Sequence, residues 1–227
     1  MNFPARYAIL LDGGFLIKKF QGSCRRFPEA EDIQCLCHFI QAHETLSGFG
    51  LLRTYFYHAP PARGKLTNPL DKMIKLDLAQ TPTYRNHERL MNRLELMPDF
   101  ALRLGETVVR NWKLGRQALR SLTEKARAVE PRDLVPAIDQ KGVDLRIGLD
   151  IARLSLGHMV QALVVVTGDS DLVPAFKFAR REGVRVILVH LNHGVRRDLR
   201  AHCDTVLSVN WPVPDGDRGP RTQTSHA

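Results

Sequence analysis

The segment ALVVVTGDSDLVP, which spans residues 162–174, decides the fold of this chain. Residues 163–166 are all aliphatic and predict a buried strand, and Gly168 predicts a tight turn directly after it. The turn carries Asp169 and Asp171, and a helix is predicted to follow. Because ligands of open α/β sheets bind beyond the carboxyl ends of the strands, this acidic pair lies where a cation site is expected.

A purely structural role for the acidic pair is the alternative. Asp171 could cap the following helix, since Pro174 would then lie in the first turn, where its missing N–H does no harm. Capping by Asp171 is compatible with metal binding, but it leaves Asp169 unexplained. The sequence therefore favours a cation site and leaves open whether Asp171 also caps the helix.

The residues after this turn predict a parallel sheet. A helix to about residue 181 leads through Glu182 and Gly183 into the apolar strand VRVILVHL, residues 184–191. The succession of strand, helix and strand is typical of parallel sheets. A helix over 194–202 and a short edge strand over 205–209 are predicted to complete the chain.

The N-terminal residues repeat the arrangement of strand, acidic turn and helix. Residues 7–11 form an apolar run that ends at Asp12, and Gly13 and Gly14 predict the turn into a helix that begins near Phe15. Asp12 is thus a further carboxylate at the end of a predicted strand.

The third acidic element is the segment QKGVDLRIGLDIARLSLGH, residues 140–158. Its apolar residues predict a helix that begins near Asp144 and packs on a sheet. Asp144 could be only the N-cap of this helix. Asp150 falls near the helix face that holds Arg146 and Arg153, so we predict that Asp150 is an ion-pair partner and only a second-tier member of the acidic site.

The middle of the chain is polar and mixed in character. Residues 110–132 contain seven basic and two acidic residues around Trp112. This segment either contacts nucleic acid or forms a solvated helix, and its position before the Asp144 element favours contact. The predicted helices of this region cover 33–46, 70–78 and 87–97, and the predicted strands lie over 51–59 and within 101–112.

The three acidic elements bring four carboxylates toward one edge of the predicted sheet, namely those of Asp12, Asp144, Asp169 and Asp171. Two unit charges about 4 Å apart repel by about 4 kcal/mol at an effective dielectric constant of about 20. Several such pairs would rival the roughly 5 to 15 kcal/mol that stabilises a domain, so the cluster needs protons or a cation. Carboxylate oxygens without accompanying histidines and cysteines select Mg²⁺ or Mn²⁺ over zinc.

Three blocks of this sequence resemble the NYN domain, a branch of the PIN-like nucleases, and specifically its LabA-like bacterial members. The blocks are YAILLDGGFL (7–16), QKGVDLRIGLDIARLS (140–155) and VVVTGDSDLVPAFKFARREGVRVILV (164–189). The first block alone is weakly specific, whereas KGVD followed by TGDSD is quite specific. From the first block to the final helix, they span most of the length of the chain.

The resemblance implies a Rossmann-like α/β/α sandwich with a mainly parallel central sheet. It also implies metal-dependent cleavage of RNA, with one or two Mg²⁺ or Mn²⁺ ions held by the acidic residues at Asp12, Asp144, Asp169 and Asp171. A divalent ion can activate a water molecule and neutralise charge on a phosphodiester, so no nucleophilic side chain is required. Nearby polar residues are predicted to contact phosphate or to steady a carboxylate, with surface or turn roles as the alternative: Thr167, Ser170 and Lys141.

One position departs from the family's pattern. Many members carry Asn three residues after the first Asp, whereas this chain carries Phe15. The amide that would orient a ligand there is absent. A non-catalytic RNA-binding or regulatory module is therefore an alternative to a ribonuclease, and a PIN-like nuclease acting on DNA is another.

The composition is that of an ordinary globular protein with excess positive charge. The 227 residues are 44% hydrophobic and carry a formal net charge of +9, which favours a polyanionic partner such as RNA or DNA. We predict one NYN/PIN-like domain over residues 1–210, with a basic, partly helical insertion over about 60–135 and a disordered tail over 211–227. No apolar run is long enough to span a bilayer, and no signal peptide is evident, which predicts a cytoplasmic protein without a membrane partner. Assembly into a homo-oligomer is left open.

The four cysteines are predicted to be reduced thiols in this compartment. Cys35, Cys37 and His38 share one predicted helix, but a zinc site would require a second pair of ligands that the segment lacks. We predict that these cysteines serve as small, semi-buried hydrophobic residues.

Overall fold

The structure is a computed structural model that describes residues 5–209 and Trp211. The strands within these residues are β1 (Arg6–Asp12), β2 (Gly50–His58), β3 (Lys65–Thr67), β4 (Lys75–Asp77), β5 (Phe100–Leu104), β6 (Glu106–Leu114), β7 (Leu134–Lys141), β8 (Ala162–Val166), β9 (Arg185–Val189) and β10 (Thr205–Leu207). The α-helices are α1 (Gly13–Cys24), α2 (Ala30–Gln41), α3 (Pro82–Glu95), α4 (Arg116–Glu124), α5 (Val143–Leu156), α6 (Val173–Arg181) and α7 (Arg197–Ala201).

Six parallel strands form the central sheet in the order β10-β9-β8-β1-β2-β5. The chain moves outward from β1 to β2 on one side, whereas β8 and β9 lie on the other side. The strand order therefore reverses between β1 and β8. In open α/β sheets, this reversal opens a crevice at the carboxyl ends of the two strands, where ligands bind.

Helices cover both faces of the sheet, as the resemblance implied. On one face, the alternate β1 residues Ile9 and Leu11 pack with α1, α2 and α3 in one core. On the other face, Ala8 and Leu10 pack with α5, α6 and α7. Neighbouring residues of a strand point to opposite faces. A strand that is covered on both faces must therefore be apolar throughout, as β8 and the middle of β1 are. The α/β/α sandwich is confirmed.

Two small antiparallel pairs lie outside the central sheet. One is the β3–β4 hairpin, and the other is a ribbon formed by β6 and β7. The range of the predicted insertion, about 60–135, also contains β5, the edge strand of the central sheet, and α3, which packs against that sheet. The ribbon also uses residues beyond 135.

The helix predicted over 70–78 is wrong. Short polar side chains organise turns there: Asn68 accepts a hydrogen bond from the backbone N–H of Leu70, and Asp71 accepts one from that of Met73. Such local bonds compete with helix formation. A 3₁₀ turn over Leu78–Gln80 follows β4.

Three other boundaries differ from the prediction. The helix expected over 33–46 ends at Gln41, and a 3₁₀ turn covers Glu44–Leu46. The basic segment over 110–132 is divided between β6 and α4. Strand β7 was not predicted, because Pro136 interrupts its pattern. The proline is tolerated there, since a strand of a two-stranded ribbon has no second hydrogen-bonded neighbour.

Among the described residues, no helix is both long and apolar enough to cross a membrane. The cytoplasmic location stays a prediction. The disordered tail predicted over 211–227 lies, apart from Trp211, outside the described residues.

Candidate functional site

Asp12 ends β1 and caps α1. Its Oδ1 accepts a hydrogen bond of 3.1 Å from the backbone N–H of Phe15, which satisfies one free donor of the helix. The next residue must be glycine, because a Cβ at Gly13 would lie 2.6 Å from the carbonyl oxygen of Tyr57 and 2.7 Å from the ring of Phe56. The close approach of β2 therefore fixes the position of the Asp12 carboxylate.

Thr167 connects Asp12 to the turn after β8. Its fully buried hydroxyl donates a hydrogen bond of 3.1 Å to Asp12 Oδ2 and accepts one of 3.1 Å from the backbone N–H of Asp169. The prediction that Thr167 steadies a carboxylate is confirmed. Asp12 and Asp169 thus flank the crevice where the strand order reverses.

The cap after β8 is Asp169, not Asp171. Asp169 Oδ1 accepts a hydrogen bond of 2.9 Å from the backbone N–H of Asp171 and caps the 3₁₀ turn Ser170–Leu172. Helix α6 begins only at Val173, so the prediction that Asp171 caps this helix is wrong. The side chain of Asp171 is left exposed and available for a ligand.

Asp144 lies in the first turn of α5 without capping it. The N-cap is Gly142, whose positive φ of 71° is the left-handed conformation that glycine adopts without strain. Asp144 and Asp171 both line a groove of about 290 Å³ between α5 and α6. The N-cap role considered for Asp144 is therefore wrong, and its carboxylate is exposed at the same edge as Asp171.

The electrostatics of the edge reflect this gathering of negative charge. Burial raises the pKa of Asp12; the hydrogen bonds from Phe15 and Thr167 oppose the rise, and the charges of Asp144 and Asp169 add to it. Partial desolvation and the charges of Asp169 and Asp171 raise the pKa of Asp144. A proton or a cation near these carboxylates would offset the repulsion.

The four carboxylates share one edge without forming a complete ligand cage. Across residues 5–209 there is no group of three or more histidine, cysteine, aspartate or glutamate side chains arranged to hold a metal ion. Mg²⁺ commonly uses one or two carboxylates and completes its shell with water and substrate phosphates. The oxygen donors present fit that kind of binding, and they do not fit a site made entirely of protein ligands.

Phe15 packs against the turn that carries Asp169. Its ring contacts that of His193 edge to face, with the ring centroids 5.6 Å apart. A Cβ at Gly168 would lie 2.5 Å from His193 and 2.7 Å from Phe15, so only glycine fits between them. Phe15 thus replaces a polar group with an aromatic contact that locks the turn carrying Asp169.

A cationic rim, which we define as Lys18, Lys19 and Arg196, borders the acidic edge beside the ring of His193. Arg196 Nη1 donates a hydrogen bond of 3.4 Å to the hydroxyl of Ser170, and Lys19 Nζ lies 5.9 Å from the centroid of the Phe15 ring. Burial, Lys19, Lys18 and His190 lower the pKa of His193. The rim was missed from the sequence because its members lie on α1 and on the loop before α7, far apart in the chain.

Asp150 is confirmed as an ion-pair partner, but its predicted partners are wrong. It accepts a hydrogen bond of 2.9 Å from Arg103 Nε and another of 2.9 Å from the hydroxyl of Tyr57. Arg146 instead donates to the carbonyl oxygen of Gly142. The partners come from β5 and β2, which no helical spacing could reveal.

The basic segment over 110–132 is partly neutralised within the protein. Arg110 pairs with Asp139, Arg127 with Asp133 and Arg132 with Glu130. Lys141, at the end of β7, is exposed. The cations of α4 and β6 without an ion pair among the described residues are Lys113, Arg116, Arg120 and Lys125.

The cysteine and histidine residues of α2 do not form a zinc site. Cys37 is buried, whereas Cys35 and His38 are exposed, so the three side chains do not point to one centre. Burial raises the pKa of the Cys37 thiol to about 12, which keeps it an inert thiol. The prediction of a small buried hydrophobic residue is confirmed for Cys37 and wrong for the exposed Cys35.

The parallel sheet, the strand-order reversal and the acidic edge define a PIN-like α/β protein. A family model for the NYN domain matches residues 76–210, which is more than half of the chain, so the chain belongs to the NYN family. NYN domains are a branch of the PIN-like nucleases. The matched range contains Asp144, Asp169 and Asp171, whereas Asp12 lies before it. The LabA-like assignment stays a prediction.

Two individual proteins resemble this chain. An uncharacterized protein of Methanocaldococcus jannaschii is 27% identical over 105 residues, which cover 46% of this chain and 42% of that protein. The chain therefore spans less than half the length of this relative. A crystal structure of a protein of unknown function from Vibrio parahaemolyticus covers 91% of this chain and 94% of its own, with 12% identity and a TM-score of 0.52. This second likeness supports the fold alone.

Proposed function

We propose that this protein is a ribonuclease that hydrolyses phosphodiester bonds of single-stranded RNA with the help of Mg²⁺ or Mn²⁺. The observation that carries the proposal is the position of four carboxylates at the strand-order reversal, with the cationic rim directly beside them. Carboxylates hold a divalent cation, and cations hold phosphate. A nuclease needs the carboxylates and the phosphate-binding cations within the length of one nucleotide.

The residues of the acidic edge have separate tasks in this proposal. Asp12 and Asp169, joined through Thr167, form the rigid part, because both carboxylates also accept backbone hydrogen bonds. Asp144 and Asp171 are exposed and can adjust to a ligand. When bound, a divalent cation supplies an activated water and neutralises charge on the phosphate.

The cationic rim orients the substrate. Lys18, Lys19 and Arg196 present positive charge that attracts the phosphate backbone, and Ser170 lies within reach of Arg196. The edge-to-face contact between Phe15 and His193 packs against the turn behind them. Lys141 and the unpaired cations of α4 extend this positive surface toward the ribbon.

Cleavage of 5′-labelled single-stranded RNA by wild type, Asp169→Asn and Glu124→Gln tests the proposal in Mg²⁺, in Mn²⁺ and in EDTA. We expect Asp169→Asn to lower the cleavage rate on the order of 100-fold, as removal of one charge-stabilising group commonly does. Glu124→Gln is the control, because Glu124 is exposed at the end of α4. Equal cleavage by all three proteins would overturn the assignment, and so would full activity in EDTA.

A non-catalytic RNA-binding module is the second candidate, and Phe15 is the observation that favours it. Its ring occupies the position from which a polar side chain would orient a ligand. Salt-sensitive RNA binding without turnover in either metal ion would support this candidate. Matching DNA and RNA oligonucleotides, run side by side, distinguish the third candidate, a nuclease acting on DNA.

A further inference from the structure

A cavity of about 330 Å³ lies beside the acidic edge. It is enclosed by the loop after β2, the hairpin β3–β4 with the turn that follows it, the start of α3 and the ribbon β6–β7. Its size is near the lower limit for pockets that hold small molecules. The residues that line it are mainly apolar and include Ala59, Pro60, Pro61, Ala62, Leu76, Leu78, Pro136 and Ile138.

Two rings and two polar groups make this cavity more than an apolar gap. Tyr84 and His87 line it; the His87 ring is stacked on that of His58, so Tyr84 is the ring considered for a ligand. Among the described residues, the Thr83 hydroxyl and the Gln140 amide, which also line it, have no hydrogen-bond partner. An apolar slot with ring surfaces and a few free polar groups is suited to a flat heteroaromatic ligand.

Gln140 joins the cavity to the acidic edge. Its Oε1 lies 3.9 Å from the position that a Cβ on Gly14 would occupy, and that position lies 3.6 Å from Asp12 Oδ1. Gly14 has no side chain, so the amide of Gln140 and the carboxylate of Asp12 both border the space above it. A ligand in the cavity would therefore be a direct neighbour of a group held at Asp12.

The surroundings of the cavity are cationic. The Arg63 guanidinium lies 5.4 Å from the centroid of the Tyr84 ring and pairs with Glu88, and Lys65, Lys75 and Arg85 are exposed on the same hairpin and helix. Aromatic surfaces bordered by cations are typical of sites that stack bases of single strands and follow their phosphates. An uncharged apolar ligand would not require this border.

We infer that the cavity binds one nucleobase of the single-stranded RNA substrate, in the nucleotide adjacent to the phosphate held at Asp12. The inference rests on the proposed function, because the position of the base along the RNA is defined relative to the phosphate at Asp12. Stacking against Tyr84 holds the base, and Gln140 and Thr83 contact its edge. The cavity thereby sets which phosphate of the strand reaches the carboxylates.

Filling the cavity tests this inference. Ala62→Trp places a large side chain in the cavity, and Ala62→Ser at the same position leaves it open. We expect Ala62→Trp to raise KM for an RNA oligonucleotide about 10-fold, as loss of one stacked base does. Circular dichroism checks that both variants are folded.

A second measurement does not depend on the fold of a variant. RNAs that each carry one abasic nucleotide are bound to the wild-type protein, and we expect a loss of affinity of about 10-fold at one register only. Uniform affinity at every abasic position would overturn the inference, as would wild-type KM in a folded Ala62→Trp protein.

Calorimetry with UMP, AMP and ribose 5-phosphate separates this inference from the proposed function. Binding of a nucleotide but not of ribose 5-phosphate, abolished in Ala62→Trp, supports the base site even if the wild type cleaves no RNA. Cleavage of RNA together with uniform affinity at every abasic position, in contrast, leaves the ribonuclease assignment intact and removes the base site.

Discussion

The acidic edge and the cavity of about 330 Å³ lie side by side, but they are built in different ways. Asp12 and Asp169 follow strands whose residues are buried on both faces, and Gly13 and Gly168 permit contacts that no other residue would allow. The cavity is enclosed by short peripheral strands and by loops whose residues are mostly half-buried. A rigid part thus carries the charged groups, and an adaptable part lines the cavity.

The difference suggests how one fold serves different substrates. Reacting groups must be held to within a fraction of an ångström, which buried parallel strands achieve. Contacts with a base can vary between relatives, and loops vary with little effect on the core. We therefore expect substitutions at the edge to affect chemistry, and substitutions around the cavity to affect substrate choice.

The largest expected effect is that of Asp12→Asn. The asparagine keeps an oxygen for the Phe15 N–H but loses the negative charge, so the cleavage rate should fall roughly 100-fold to 1,000-fold, or about 2.7 to 4 kcal/mol. Because burial and neighbouring charges disfavour the ionised Asp12, the thermal midpoint should stay equal or rise. Single-turnover cleavage measures the rate, and calorimetric melting measures the thermal midpoint. A large loss of stability with unchanged cleavage would contradict the role given to Asp12.

The next effect compares Asp150→Asn with Asp144→Asn. Asp150 accepts hydrogen bonds from Arg103 and Tyr57 in a largely buried position, so its loss should lower the free energy of unfolding by about 2 kcal/mol. Asp144 is exposed, and its loss should lower cleavage while leaving stability nearly unchanged. Urea unfolding and cleavage assays check both. If Asp150→Asn loses more cleavage than Asp144→Asn, then Asp150 is a ligand and the assignment must be reversed.

A third effect depends on pH and concerns the histidines where the two regions meet. His58 ends β2, and its Nε2 lies 3.0 Å from Nδ1 of His87, with the rings stacked. Burial, then the charge of His87, lowers the pKa of His58 from 6.5 to about 3. The unfolded chain therefore binds this proton at a higher pH than the folded protein does. The contribution of His58 to the free energy of unfolding is fully present above about pH 6.5 and is lost as the pH falls toward 3. The slope should approach about 1.4 kcal/mol per pH unit.

Urea unfolding between pH 7.5 and pH 5 measures this slope, in a range chosen at about one pH unit on either side of the ordinary histidine pKa. His58→Leu should flatten the dependence, and His38→Gln, at an exposed histidine of α2, should leave it unchanged. Identical slopes in wild type and His58→Leu would show that His58 is protonated in the folded protein.

The smallest expected effect concerns the surface of α4. Arg116 and Arg120 are exposed one turn apart, so the double substitution to alanine should weaken RNA binding at every sequence alike. The slope of log affinity against log salt should fall by about 2, or about one for each cation. Arg132→Ala, whose guanidinium pairs with Glu130, is the control. Unchanged salt dependence in the double variant would remove α4 from the RNA surface.

The sequence predicted the sheet and the acidic residues well, because these depend on local patterns. Uninterrupted apolar runs that end in Asp12 or in the TGDSD turn identify buried parallel strands and their carboxyl ends. The sequence failed at 70–78, where side chains of Asn68 and Asp71 organise turns, and at β7, where Pro136 conceals a strand. In both places, a local hydrogen bond or a partner strand outweighed the periodicity.

The sequence by itself therefore determined the parallel α/β fold, the four carboxylates at its strand ends and helix starts, and the family. Only the tertiary structure decided that Asp169 caps its own turn, that Asp150 pairs with Arg103 and Tyr57, and that the cationic rim borders the acidic edge. It alone brought Gln140 beside Gly14 and so joined the cavity to Asp12. The reason is physical: strand and helix patterns depend on near neighbours, whereas these contacts join residues that only chain packing brings together.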